Sequence, residues 1–196
     1  RVVGVDVLID RASGSLIAAD GDVTADTYRV SSDVPVADVA VLQALPAAAD
    51  AIEARTLPPG LPPALNEMAR VATAGATTPF INAVKLQRYL QLNFELDENF
   101  TAGQSYGHVL RALTEAGAGT DEQFASAFAV LGRVVGLPTR VVVGFAPGEQ
   151  QPDGSYDVRS RHARVWPEVK FGLDHEPPAA GAAAAFLERP TEFDAE

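Results

Sequence analysis

The stretch GAGTDEQFASAFAVLGRVVGLPTRVVVGF, residues 117–145, decides the fold of this chain. Thr120 is a helix-capping residue, and Gln123 stands three positions on, the spacing of a capping box. Phe124, Phe128, Leu131 and Val135 then recur along one helical face. Gly136 ends that helix and Pro138 prevents its continuation. TRVVVGF (139–145) follows as a nearly continuous apolar run, the mark of a well-covered strand. The segment therefore predicts a helix over 120–136, buried by a wide apolar face against the sheet that the next strand begins.

Downstream, PGEQQPDGSYDV turns through Asp-Gly into a second strand, and RSRHARVWPEVKF (159–171) makes a third. Upstream, SYGHVLRALTEAG (105–117) predicts a short helix ending in Gly. TPFINAVKLQRYLQLNF (78–94) predicts an amphipathic helix with Phe80, Val84, Tyr89 and Leu92 on its inner face. PPALNEMARVATAG (62–75) starts a helix with Pro near its first turn. Residues 36–60 are Ala-rich and end in TLPPG, a loop or linker. The first 35 residues hold short β-prone runs, VVGVDVLID (2–10), GSLIAAD (14–20) and VTADTYRVSSDVP (23–35), broken by Ser-Gly and Asp-Gly turns. The expected organisation is a β-rich segment and linker over 1–60, a main α+β domain over 61–178 with helices on an antiparallel sheet, and a Pro/Ala-rich acidic tail, partly disordered, over 179–196.

The bulk composition narrows the function. The 196 residues carry 15 Lys and Arg against 26 Asp and Glu, a net charge of −11. Nucleic acids and anionic membrane surfaces call for a basic patch, so both are disfavoured as partners. There is no cysteine, which excludes disulfides, thiolate metal sites and thiol catalysis together. No apolar run reaches the length of about 18 residues needed to cross a bilayer. The chain opens at Arg1 inside a strand-like run, as expected of a fragment whose leader or anchor lies outside it.

Residues 76–178 resemble the transglutaminase-like superfamily, which shares a papain-like core, and within it the bacterial membrane-anchored branch. The stretches that carry the resemblance are YLQLNFELD (89–97), EQFASAFAVLGRVVGLPTRVVVGFAPG (122–148), DGSYDV (153–158) and WPEV (166–169). YRVSSDVP (28–35) is similar to the β segment that precedes the helices in that branch. The resemblance implies a cysteine before Glu-Gln-Phe, a histidine two residues before the tryptophan, and an acidic residue on the next strand. These positions fall here on Asp121, on Arg164, and on Glu176 or alternatively Asp174. It also implies a protein held in the membrane by an anchor outside this fragment, with the domain on the extracytoplasmic face, and Trp166 as a core residue or a wall of the cleft.

Chemically, a helix N-terminus and an imidazolium favour a thiolate. A carboxylate answers the same field, and Asp121 gains about 0.3–1 kcal/mol in a first turn. It is a poor nucleophile toward amides. Arg164 stays protonated and cannot serve as general base. The paired change predicts an Asp121–Arg164 ion pair across a degenerate, inactive triad. The function expected is a binding or scaffolding module whose cleft takes a peptide, a cell-wall fragment or a protein, with no cofactor and no metal. The rival expectation is an enzyme of altered acid–base or metal chemistry built on Asp121, His162 and Glu176, with His162 on the same strand face as Arg164. His108 and His175 are read as structural or exposed.

Overall fold

The computed structural model describes residues 38–49, 51–97, 99–101, 103 and 105–172, together with the backbone of four short strands within 1–37. Those strands are β1 (Val2–Val3), β2 (Val7–Ile9), β3 (Leu16–Ala18) and β4 (Arg29–Val30). β1 pairs antiparallel with β4, and β2 with β3. They belong to one unit, Arg1–Val34; a second unit begins at Pro35. The expected tail, and with it Asp174, His175 and Glu176, lies outside the described residues.

The second unit opens with α1 (Val39–Ala44), where the Asp38 carboxylate accepts from Ala40 N at 2.8 Å. A 3-10 turn follows at Glu53–Arg55. The stretch read as linker is thus bound into the core. Leu42 is buried, the Arg55 guanidinium donates to the carbonyls of Ala47 and Ala48, and Ala48 N donates to Lys170 O at 3.2 Å. α2 (Pro63–Ala72) starts on a proline whose missing N–H costs nothing at that position. α3 (Pro79–Asn93) is capped by Thr78, whose hydroxyl accepts from Ile81 N.

The buried stripe of α3 differs from the expected one. It is Phe80, Ala83, Leu86 and Leu90, while Leu92 is 70% exposed. Twelve positions at the helical repeat leave Leu92 about 120° round the axis from Phe80, and two alanine- and leucine-bearing turns already fill the contact. β5 (Glu95–Leu96) follows. α4 (Tyr106–Arg111) then runs through a π-type turn, Ala112–Ala116, to Gly117, whose φ of 67° is left-handed as a helix-terminating glycine requires. β6 (Ala118–Gly119) lies parallel to β5.

α5 (Asp121–Val134) is the central element. It packs on α2, α3 and α4 on one side and on the sheet on the other. Gln123, Ala125, Ala127, Phe128, Ala129, Leu131 and Gly132 are all buried, so the buried surface is wider than a single stripe. Burying Leu131 alone contributes roughly 2 kcal/mol. The sheet is formed by β7 (Thr139–Phe145) and, after an excursion, β10 (Ala163–Val169), antiparallel in the register Arg164↔Gly144 and Trp166↔Val142. The excursion is a separate hairpin of β8 (Glu149–Gln150) and β9 (Tyr156–Asp157), so the stretch expected as the middle strand does not join β7. Its tip is set by Asp153, whose carboxylate accepts from Ser155 N and Oγ and is held below the usual carboxylate range by those bonds.

Helix and sheet meet most closely at Gly132. A Cβ there would stand 2.8 Å from Thr139 Cγ2, and the Thr139 hydroxyl donates to Ala129 O at 2.8 Å. Gly132→Ala is expected to lower stability by about 1–3 kcal/mol in urea unfolding. Combining it with Thr139→Ser, which keeps the hydroxyl and removes the clashing methyl, is expected to recover much of that loss. A fully additive double variant would show that the contact does not set the spacing.

Candidate functional site

The first turn of α5 is fixed from three directions. Gln123, 1% exposed, closes the capping box: its Oε1 accepts from Thr120 N at 3.1 Å while Thr120 Oγ1 accepts from Gln123 N at 3.3 Å. The same side chain donates from Nε2 to Thr101 O at 2.8 Å. The approach to the helix is held by the β5–β6 pair, with Glu95 N donating to Gly117 O and Asp97 N to Gly119 O, both at 2.9 Å. Phe124 packs on Phe94, which in turn meets Tyr89 edge-on. Position 121 therefore has little freedom.

The opposing wall is β10. Ala146 N donates to His162 O at 2.9 Å and Lys170 N to Pro138 O at 3.0 Å. With the observed register, alternation places the N–H groups of Arg164, Trp166 and Glu168 toward β7 and those of Val165 and Val169 toward the outer edge. Pro167, also an outer-edge position, has no N–H to satisfy. The Val165 N–H meets Asp121: the carboxylate Oδ2 accepts from it at 3.1 Å, and Oδ1 accepts from Glu122 N at 2.8 Å. Between helix and strand lies an open cavity of about 380 Å³ lined by Thr120, Asp121, Glu122, Ala163, Arg164 and Val165.

Asp121 and Arg164 thus reach one cavity, but the expected ion pair between them does not form. The Arg164 Nη1 donates to Arg161 O at 3.0 Å and to Ala163 O at 2.7 Å, and Asp121 makes no ion pair among the described residues. The physical reason is that a fixed backbone donor already lies beside the carboxylate, whereas the long arginine side chain is free to turn back on local carbonyls. A half-buried N–H without a partner would cost more than an exposed ion pair returns.

His162 does not lie on the strand of Arg164, which begins at Ala163. It ends a 3-10 turn, Ser160–His162, and its Nδ1 accepts from Arg159 N at 3.0 Å. It does not line the cavity. Among the described residues no group of three His, Cys, Asp or Glu is placed to hold a metal. Trp166 lies over Gly144, where a Cβ would strike its ring, and its Nε1 is 3.4 Å from Glu168 Oε1. It packs on the sheet and is absent from the cavity lining. His108 Nδ1 sits 2.7 Å from Ser105 Oγ at the start of α4, a local structural contact. The group that sequence reasoning missed is the Val165 N–H. No side-chain identity announces a backbone donor; only the strand's parity, with Pro167 marking the outer edge, pointed to it.

Comparison with known proteins follows the same segment. The family model described as transglutaminase-like superfamily matches residues 66–179. The uncharacterized protein YebA of Bacillus subtilis (strain 168) is 29% identical over 123 residues, covering 59% of this chain and 17% of its own length. The crystal structure of the periplasmic domain of TgpA from Pseudomonas aeruginosa superposes with a TM-score of 0.53 at 26% identity, over 61% of this chain and 42% of that one. The same domain bound to ethylmercury gives 0.52 at 28% identity, over 61% and 44%. The chain therefore spans about a sixth of the length of YebA and under half of the TgpA domain. Among the described residues no helix is long and apolar enough to cross a membrane.

The strand-edge bond and the ion pair make different demands on variants. Asp121→Ala is expected to cost about 1–2 kcal/mol in chemical unfolding and to speed hydrogen exchange at the Val165 amide. Arg164→Ala is expected to change stability by less than about 0.5 kcal/mol. Equal losses in the two variants, with coupling between them in a double-mutant cycle, would restore the ion pair.

Proposed function

This chain belongs to the transglutaminase-like superfamily, and we propose that it is a catalytically inactive member that keeps the fold as a binding or scaffolding module. The observation that carries the reading is the state of position 121. At the helix N-terminus, where the resemblance places a nucleophilic cysteine, a carboxylate is engaged by the Val165 N–H. The chain holds no cysteine at all. Attack by a carboxylate on an amide would have to form an anhydride, and this one is held by two backbone N–H groups besides.

The second catalytic position supports the same reading. Arg164 bears a guanidinium that stays protonated and has no lone pair to accept a proton. The rival, an enzyme of altered chemistry on Asp121, His162 and Glu176, gains no support from the described residues. His162 lies outside the cavity lining, with its Nδ1 accepting from a backbone N–H. What persists is a cavity of about 380 Å³ with polar and charged walls, suited to a peptide, a cell-wall fragment or a segment of a partner protein. Likeness to a periplasmic domain supports a place on the extracytoplasmic face of a bacterial membrane, with the anchor elsewhere in a longer protein.

Assays of amine incorporation into protein glutamine and of amide hydrolysis test the proposal. No turnover is expected from the wild type. Asp121→Cys combined with Arg164→His is expected to gain measurable turnover, since the helix N-terminus and strand still face each other across the cavity. Wild-type turnover that disappears in Asp121→Ala would overturn the inactive reading.

A further inference from the structure

The tip of the β8–β9 hairpin holds reactive chemistry that the cleft does not use. Asp153 is followed there by Gly154, and every residue from Glu149 to Tyr156 is exposed. In an Asp-Gly pair the glycine nitrogen can close a five-membered ring on the aspartate Cγ, and glycine has no side chain to hinder it. A Cβ built at Gly154 would meet nothing within 4 Å, so the fold packs nothing against that side of the bond. The chain's other Asp-Gly pair, Asp20–Gly21, lies outside the described residues, and the sequence has no Asn-Gly pair.

Ring closure joins Gly154 N to Asp153 Cγ. The un-ionised carboxyl loses its hydroxyl, which departs as water with the amide proton. Water then reopens the succinimide at either carbonyl. Opening at Cγ restores aspartate; opening at the former main-chain carbonyl gives isoaspartate, with the main chain running through Cβ and Cγ. One water leaves and one returns, so no oxidant or cofactor enters. In the folded tip both reacting groups are tied. Gly154 N donates to Gln151 O at 2.9 Å, and Gln151 N donates to Ser155 O at 2.8 Å. The Asp153 Oδ1 accepts from Ser155 N at 3.0 Å and from Ser155 Oγ at 2.6 Å. The Ser155 bonds favour the carboxylate, which cannot release its oxygen as water without first gaining a proton. All these bonds face solvent and are modest net stabilisers, so the tip opens readily: closure is slowed and not prevented.

We propose that the Asp153–Gly154 bond is a site of spontaneous isomerisation to isoaspartate through a succinimide, and that Ser155 is the residue that sets its rate. The product carries one more methylene in the main chain and a carboxylate where a main-chain carbonyl stood. The turn from Gln151 to Ser155 has no place for either, so conversion costs the hairpin its tip bonds. Neither Asp153 nor Ser155 lines the cavity at Asp121, so the inference stands or falls independently of the inactive cleft.

The test ages the 196-residue chain beside the free peptide acetyl-EQQPDGSYDV-amide, the sequence of the hairpin, in one neutral buffer at physiological temperature. Isoaspartate is located in tryptic fragments by electron-transfer fragmentation, which separates Asp153 from Asp20. It is expected at position 153 of the native chain, forming at least about fivefold more slowly than in the peptide. Ser155→Ala is expected to speed the native chain by at least about threefold, while the same change moves the free peptide by less than about twofold. Ser155→Thr, which keeps the hydroxyl, is expected to age as the wild type does. Asp153→Glu, whose ring would need six members, is expected to give no product at this position. Circular dichroism confirms that each variant is folded; if Ser155→Ala is not, the ratio of wild-type to peptide rate and the Ser155→Thr rate decide. Three results would overturn the proposal: no isoaspartate at 153 in the native chain once the peptide is converted, a native rate equal to that of the peptide, or a folded Ser155→Ala chain that ages no faster than the wild type.

Discussion

The bond from the Val165 N–H to Asp121 Oδ2 joins the two elements on which the site is built. β10 turns an unpaired donor to its outer edge at Val165, and α5 presents an acceptor there at its first residue. The carboxylate is stabilised twice, by the N-terminal field of the helix and by a directed hydrogen bond. The donor is satisfied without a further strand at that point. Moving the helix along its axis would break this contact at one end and the Gly132–Thr139 approach at the other. The capping box and the β5–β6 pair fix the same turn from behind.

This arrangement explains how a fold associated with a thiolate can carry a carboxylate instead. The resemblance places an anion at position 121 in either case, so the electrostatic demand on the scaffold is unchanged. What changes is the use of the anion. Engaged with the strand's backbone, it contributes to the helix–sheet joint. Arg164 follows the same logic. With its neighbour satisfied by the backbone, its guanidinium settles on the carbonyls of Arg161 and Ala163.

Local signals were legible and partner choices were not. Thr120 with Gln123, Gly136 and Pro138 bounded α5 because capping and termination depend on residues a few positions apart. The α+β class and the family likewise followed from the pattern at 122–148 and 166–169. The stripe on α3 was misjudged at Leu92 because an apolar residue at the end of a helix need not face inward. The ion pair failed for a different reason: side-chain charge is visible in a sequence, but a backbone N–H is not, and here the backbone competed successfully for the carboxylate. His162 was expected on the strand, but a 3-10 turn at 160–162 delays the start of β10 to residue 163.

The sheet's asymmetry follows from the same accounting of backbone groups. On the β10 side, the outer-edge position at 165 gives its N–H to a carboxylate and that at 167 has none to give. A strand could not add there along Val165–Pro167 without displacing Asp121. On the β7 side, Arg133 occupies the carbonyl at Thr139 and nothing among the described residues takes the three outward positions that follow. An unprotected edge is an aggregation hazard, and it is retained only where its exposure is limited or useful. A cavity beside it is bordered by the Leu57–Pro59 loop, which the Tyr106 hydroxyl holds through Pro58 O. Among the described residues the two edges of the sheet thus differ in how their backbone groups are met, by a carboxylate and a proline on β10 and by the Arg133 guanidinium at Thr139 on β7.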